Sequence, residues 1–200
     1  MIGRIHVTLI VGVTVAVWAA VLAIRGTAIT WDHFVPFGTA VTALTLMLHA
    51  FNSTCWQWGI FKGWLVQRPN LHGTWKATIE NEIVGRISGY MVFRQTFTSL
   101  TARFYTEEST SASVTAAILQ SPDCIFQVAS TYQNEPRPDL RGVRSEIHFG
   151  AFLLDVHGDP PVRLTGKYWT DRKTGGSMTL SDRKAKLVTS FDEGVATLGA

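Results

Sequence analysis

Apolar residues follow one another almost without interruption at the start of the chain. Ile5 to Ile24 is a run of twenty positions without a charged side chain, and a second uncharged stretch runs from Phe34 to Phe61. A helix of about 20 apolar residues crosses the hydrocarbon core of a bilayer. The pattern therefore predicts a transmembrane helical hairpin over residues 1–64, with spans at about 5–24 and 34–51.

Flanking charges indicate an orientation for this hairpin. Arg4, Lys62 and Arg68 lie at one end, whereas the short connection carries Arg25. Positive residues favour the cytoplasmic side, so we expect a multi-pass protein of a bacterial inner membrane with its later part in the cytoplasm. A secretory signal peptide is the alternative for the first run, but such peptides have shorter apolar regions, and here a second stretch follows at once.

From about residue 67 the pattern changes to short segments rich in Thr, Val, Ile, Phe and Tyr, separated by turn residues. Such segments are typical of antiparallel strands, and eight are predicted, at 71–80, 87–96, 99–106, 112–119, 124–132, 145–154, 162–170 and 177–180. In the first, Leu71, Trp75 and Ile79 share one face. This alternation favours a closed barrel over a sandwich, and eight strands can enclose one small ligand. The predicted fold is mainly β, with a barrel over residues 67–200 that resembles lipocalins in its opening Gly73-Thr74-Trp75.

Charge and motifs argue against several classes of function. From Arg68 onward the chain contains fifteen Lys and Arg and fourteen Asp and Glu. This near-neutral balance does not favour binding of long nucleic acids. Cys55 and Cys124 suggest no disulfide framework. Signatures of hydrolases, P-loop proteins and zinc proteases are missing, and Asp155-Val-His157-Gly-Asp159 has the composition of a turn. We therefore expect no catalytic residue, no metal and no cofactor.

Arginines and tyrosines share faces of several predicted strands. Arg94, for example, falls on the same face as Tyr90 and Thr96. An arginine inside a barrel needs solvent, a carboxylate or an anionic ligand, since burying an unpaired charge is costly. Tyrosine rings can stack on nucleobases, and a guanidinium binds phosphate oxygens. The candidate ligand residues on these grounds are Tyr90, Arg94, Thr96, Tyr132 and Tyr168.

Two apolar helices, a β-rich domain and the hairpin Gly166-Lys-Tyr-Trp-Thr-Asp-Arg-Lys-Thr-Gly-Gly-Ser-Met-Thr-Leu180 together resemble one family. It comprises the two-transmembrane, β-strand-rich effectors of the cyclic-oligonucleotide-based anti-phage signalling system (CBASS). The resemblance implies that a nucleotidyltransferase supplies a cyclic dinucleotide, that the barrel binds it, and that the helices then form homo-oligomers that disrupt the inner membrane. The infected cell would die by abortive infection. The resemblance also marks Tyr168 of the hairpin and adds Thr170 and Arg172 as ligand residues.

Two other interpretations stay open. A membrane-tethered barrel could carry a lipid or another apolar ligand, in which case its inner face should lack basic residues. A membrane scaffold without enzymatic activity should instead have a filled core and bind only proteins. The hairpin residues Tyr168, Thr170 and Arg172 also have a second interpretation, because they could hold the hairpin that closes the barrel without touching a ligand.

Overall fold

The computed structural model describes residues 2–26, 31–81, 85–143 and 145–199. The chain divides into two compact units, one ending at Cys55 and the other beginning at Trp56. The first unit contains two helices, α1 (Ile2–Ile24) and α2 (Trp31–Ser53). The second unit contains the strands.

The predicted transmembrane hairpin is wrong. Both helices lie where the apolar pattern placed them, but within the residues that the structure describes no helix combines the length and the apolar character of a membrane span. A span needs about 20 predominantly apolar residues. In α2, threonines recur at positions 39, 42 and 45, and His49 and Asn52 follow them. The predicted spans at about 5–24 and 34–51 are therefore not assigned to a membrane.

The second unit is built on eight antiparallel strands that form a closed barrel, in which each strand pairs with the next and the last pairs with the first. This confirms the predicted eight-stranded antiparallel barrel. The strands are β1 (Gly73–Asn81), β2 (Gly85–Gln95), β3 (Leu100–Tyr105), β4 (Ser109–Gln120), β5 (Phe126–Pro136), β6 (His148–His157), β7 (Arg163–Thr170) and β8 (Gly175–Lys184). Short 3₁₀ turns lie at Cys55–Gln57, Gly59–Phe61 and Pro138–Leu140.

Alternate residues of the strands fill the inside of the barrel at one end. Trp75, Phe93 and Leu164 are fully buried there, and the Trp75 indole N–H donates to the Leu71 carbonyl at 3.0 Å. The Arg183 guanidinium lies 5.5 Å from the centre of a Trp75 ring, and burial lowers the pKa of Arg183. This packing closes one end of the barrel, so that open space is left at the other.

A third helix, α3 (Phe191–Leu198), follows the last strand and was not predicted. Ser190 caps it, since the Ser190 Oγ accepts a hydrogen bond from the Glu193 backbone N–H. Ser190-Phe-Asp-Glu193 is the sequence signature of a capping box. This signal could have revealed the helix, although eight residues are too few for a clear apolar period.

Candidate ligand-binding cavity

A cavity of about 590 Å³ occupies the end of the barrel opposite Trp75. Pockets for small ligands usually measure roughly 300–1,000 Å³. The lining residues come from the strands, from the turns that join β3 to β4, β5 to β6 and β7 to β8, and from α3. One small molecule therefore fits inside the barrel.

The inner part of the cavity is apolar and aromatic. Met91, Phe104 and Met178 line it, and the rings of Tyr132 and Phe152 stack with their centres 6.2 Å apart and their planes at 30°. All of these positions point inward by strand alternation. Flat ring faces and methionine side chains can accommodate an aromatic base.

Two asparagines form a polar wall beside these rings. The Asn81 amide donates to the Tyr168 hydroxyl at 3.2 Å and to the Gly175 carbonyl at 2.5 Å. The Asn134 amide donates to the hydroxyls of Ser109 and Ser111 at 3.0 and 2.9 Å. Sequence reasoning missed both asparagines. A polar residue at an inward-facing position of a strand indicates such a cavity residue. The inward-facing positions can be recognised only once the strand register is known.

Tyr132 has the most strongly perturbed pKa among the cavity residues described. Burial, followed by the neighbouring Tyr168 and Asp171, raises the pKa of its hydroxyl to about 12. A Cβ atom on Gly150 would lie 2.5 Å from the Tyr132 Oη, so the glycine leaves the room that this ring occupies. Tyr132 thus stays neutral at physiological pH and offers a hydrogen-bond donor that carries no charge.

Charged residues line the mouth of the cavity. Arg172 borders the mouth from the turn after β7, Arg86 borders it from the outer face of β2, and Glu107 and Glu108 lie on the turn between β3 and β4. The Arg172 Nη1 donates to the Ser145 Oγ at 3.2 Å, which links the two turns that follow β7 and β5. Arginine can bind carboxylate or phosphate oxygens bidentately. The mouth therefore has groups suited to an anion, next to an aromatic interior.

The hairpin between β7 and β8 is held by its own hydrogen bonds and also borders the cavity. The hydroxyls of Thr170 and Thr174 are 2.7 Å apart, and Asp171 accepts from the Phe149 backbone N–H at 3.0 Å. These contacts hold the turn, while Tyr168, Thr170 and Arg172 also line the cavity. Shaping the hairpin and facing the cavity are compatible, so the two interpretations left open by the sequence do not exclude each other.

Of the seven predicted ligand residues, the structure brings four to the cavity: Tyr132, Tyr168, Thr170 and Arg172. Tyr90, Arg94 and Thr96 do not line it. Arg94 is exposed on the outer face of β2, and the Thr96 hydroxyl lies 2.7 Å from the Ser99 hydroxyl in the next turn. Tyr90 is buried on the outer face of β2, in contact with α3. Alternation grouped Tyr90 and Arg94 correctly on one face of β2, but that face is the outer one, and Thr96 lies beyond the end of the strand.

Barrel and cavity together define a β-barrel receptor for a small ligand. Residues 66–182 match the family model of the Cap15 cyclic dinucleotide receptor domain. The match covers more than half of the chain, and the chain belongs to this family. A curated relative, CD-NTase-associated protein 15 of Staphylococcus schleiferi, is 25% identical over 162 residues, which are 78% of this chain and 82% of that protein. These findings support the predicted relation to CBASS effectors and a cyclic dinucleotide as the ligand class.

Proposed function

We propose that this protein is a CBASS effector whose barrel cavity binds a cyclic dinucleotide made by an associated nucleotidyltransferase, without a catalytic step of its own. The observation that carries the proposal is the composition of the cavity: an aromatic interior with arginines at its mouth, within a cyclic dinucleotide receptor domain. A cyclic dinucleotide carries two bases and two phosphates. It needs both kinds of group in one pocket.

Specific residues suit the two parts of such a ligand. The rings of Tyr132, Tyr168 and Phe152 offer faces for a base, and the Asn81 amide lies beside Tyr168. Arg172 at the mouth offers a guanidinium group for a phosphate, and Arg86 can add a second one from the outer face of β2, where that strand borders the cavity. The same arginines argue against a carrier of an apolar ligand, and a cavity of about 590 Å³ argues against a scaffold with a filled core.

The consequence of binding belongs to the same proposal. Ligand binding promotes self-association of the protein at the bacterial inner membrane, which is disrupted, and the infected cell dies by abortive infection. Exposed apolar side chains of the first unit support this step, among them Val13, Val17, Leu46 and Met47. Exposed apolar surface of this kind marks association sites. The ligand can drive assembly only to the extent that it binds the assembled state more tightly.

Calorimetric titration of the full-length protein with cyclic di-AMP, cyclic di-GMP and cyclic GMP-AMP tests the proposal. We expect at least one to bind, with one molecule per barrel. Arg172→Ala should weaken binding by about tenfold to a hundredfold, since a hydrogen bond to a charged group contributes about 1.5–3 kcal/mol. Arg94→Ala is the matched control, because Arg94 is exposed on the outer face of β2 and should leave the affinity unchanged. Absence of binding across this panel and across cyclic trinucleotides would refute the proposal.

A cellular experiment tests the consequence. Co-expression with the associated nucleotidyltransferase should depolarise cells that carry the wild-type effector, and Arg172→Ala should delay depolarisation in proportion to its loss of affinity. Arg94→Ala should behave as wild type. If the wild-type protein binds its ligand and forms no larger assembly in its presence, the self-association step is wrong while the binding step stands.

A further inference from the structure

We infer that α3 is part of the ligand site: Phe191 contacts the bound cyclic dinucleotide, and the ligand in turn holds α3 against the barrel. The inference rests on the proposed function for the identity of the ligand. It concerns a segment beyond residues 66–182, which the receptor-domain family covers. Phe191 lines the cavity although it belongs to neither a strand nor a turn of the barrel.

The cavity reaches α3 where the barrel wall is incomplete. Pairing between β2 and β3 ends at Tyr90 opposite Tyr105, whereas β2 continues to Gly85. Arg86 and Ser88, from this part of β2, line the cavity together with Phe191. A helix that lies beside this gap supplies the wall that a paired strand would otherwise form.

Tyr90 is the anchor that holds α3 in this place. Its ring centre lies 5.5 Å from that of Phe191, and its hydroxyl donates to the Gly199 carbonyl at 2.6 Å. Gly194 allows this approach, because a Cβ atom there would lie 2.2 Å from the Tyr90 Cδ2. Only 3% of Tyr90 is exposed. Tyr90 is thus a positioning residue, two contacts away from the ligand.

Two hydrogen bonds tie the segment before α3 to β1. The buried Thr74 hydroxyl donates to the Lys186 carbonyl at 2.6 Å and accepts from the Val188 N–H at 3.1 Å. After Val188, the helix has only eight residues, and isolated helices of this length are not stable in water. Its helical state therefore depends on its contacts with the barrel. A ligand that adds one contact, at Phe191, shifts this equilibrium measurably.

By thermodynamic linkage, docking of α3 and binding of the ligand strengthen each other. If docked α3 raises the affinity for the ligand by a given factor, the ligand raises the docking equilibrium of α3 by the same factor. Stacking of a nucleobase on an aromatic side chain changes affinity by about fivefold to a hundredfold when the ring is removed. The same range is expected for the slowing of α3 amide exchange when the ligand binds, because these amides exchange from the undocked state.

Two measurements on the full-length protein test this inference, with the tightest binder among cyclic di-AMP, cyclic di-GMP and cyclic GMP-AMP as the probe. Calorimetry should show Phe191→Ala binding about fivefold to a hundredfold more weakly than wild type. Val195→Ala is the matched control, since Val195 packs against the Tyr90 cluster without lining the cavity, and its loss should be smaller. Hydrogen exchange should show slower exchange of amides 194–199 when the probe is bound.

The outcomes separate the two proposals. Wild type that binds none of the three cyclic dinucleotides and no cyclic trinucleotide refutes the proposed function itself. If wild type binds the probe and Phe191→Ala binds it equally tightly, the inference alone is refuted. The inference is also refuted if Phe191→Ala and Val195→Ala lose the same affinity, because Phe191 would then only help to dock α3. Unchanged exchange at 194–199 on binding refutes the linkage. Near-ultraviolet circular dichroism of each variant verifies that the barrel is folded.

Discussion

Tyr132 offers the sharpest test of the cavity, because its environment predicts how the stability of the barrel depends on alkaline pH. Burial raises the pKa of the hydroxyl from 10 to about 12 in the folded protein. The folded state therefore keeps this proton at a pH where the unfolded state has lost it. By linkage, the contribution of Tyr132 is constant below pH 10, and stability falls as pH rises from 10 towards 12.

The size of the loss follows from the two pKa values. A difference of one unit corresponds to 1.36 kcal/mol, so the shift of Tyr132 limits the loss to roughly 2.7 kcal/mol above pH 12. At pH 11.5 the loss amounts to about 2 kcal/mol, because the folded form has begun to ionise. With a urea dependence of about 2 kcal/mol/M, the midpoint of unfolding falls by about 1 M.

The Tyr132→Phe variant isolates this contribution. It keeps the ring that stacks on Phe152, and among the residues that the structure describes none makes a hydrogen bond to the Tyr132 hydroxyl. Urea unfolding of the full-length protein, followed by near-ultraviolet circular dichroism, should give similar midpoints for both proteins at pH 8. At pH 11.5 the wild type should have lost about 2 kcal/mol more than the variant. Parallel losses in the two proteins would show that Tyr132 is open to solvent and that the cavity is not closed around it.

Three further perturbations test other parts of the barrel. Thr74→Val should destabilise the protein by about 1–3 kcal/mol for each of the two backbone groups that it leaves unpaired; urea unfolding measures this loss, and wild-type stability would contradict it. Gly166→Ala should cost about 3 kcal/mol or more, since its Cβ would lie 2.0 Å from the Leu153 carbonyl oxygen; a soluble variant with the wild-type melting temperature would refute that contact. Hydrogen bonds from Lys186 and then Thr189 lower the pKa of Glu193 to about 2. Above pH 4.5 these bonds therefore stabilise α3, and this stabilisation is lost as pH falls towards 2. In nuclear magnetic resonance spectra the amide shift of Thr189 should follow the titration of Glu193 in wild type and should not change over this range in Glu193→Gln.

Local rules were sufficient to predict the strands. Alternation and turn residues predicted eight segments, and each overlaps one observed strand, because strand periodicity and turn chemistry are local properties of the chain. The hairpin Gly166 to Leu180 illustrates this, since Asp171 and the glycines lie in or next to its turn. The first two helices were located from the same kind of pattern. Their assignment to a membrane failed, because among the residues that the structure describes no helix is long and apolar enough for a span.

The cavity was predicted only in part, because a site depends on contacts between strands that are distant in sequence. Tyr132 and Tyr168 could be predicted as ligand residues because they are aromatic residues in predicted strands. The Asn81 amide, by contrast, belongs to the site because it donates a hydrogen bond to Tyr168, 87 positions away in the sequence. Only the pairing of β1 with β8 and of β8 with β7 brings these two side chains together. No local pattern contains this information.

The sequence of β2 already contains the signal that Tyr90 packs outside the barrel. In a strand with one solvated face, apolar and polar residues alternate, yet in β2 the consecutive residues Tyr90, Met91, Val92 and Phe93 are all buried. The barrel interior explains only Met91 and Phe93. The other two require a cover on the outer face, and α3 provides it with Phe191 and Val195. Two apolar faces on one strand of a small barrel therefore indicate an additional packing element, and here that element also reaches the cavity.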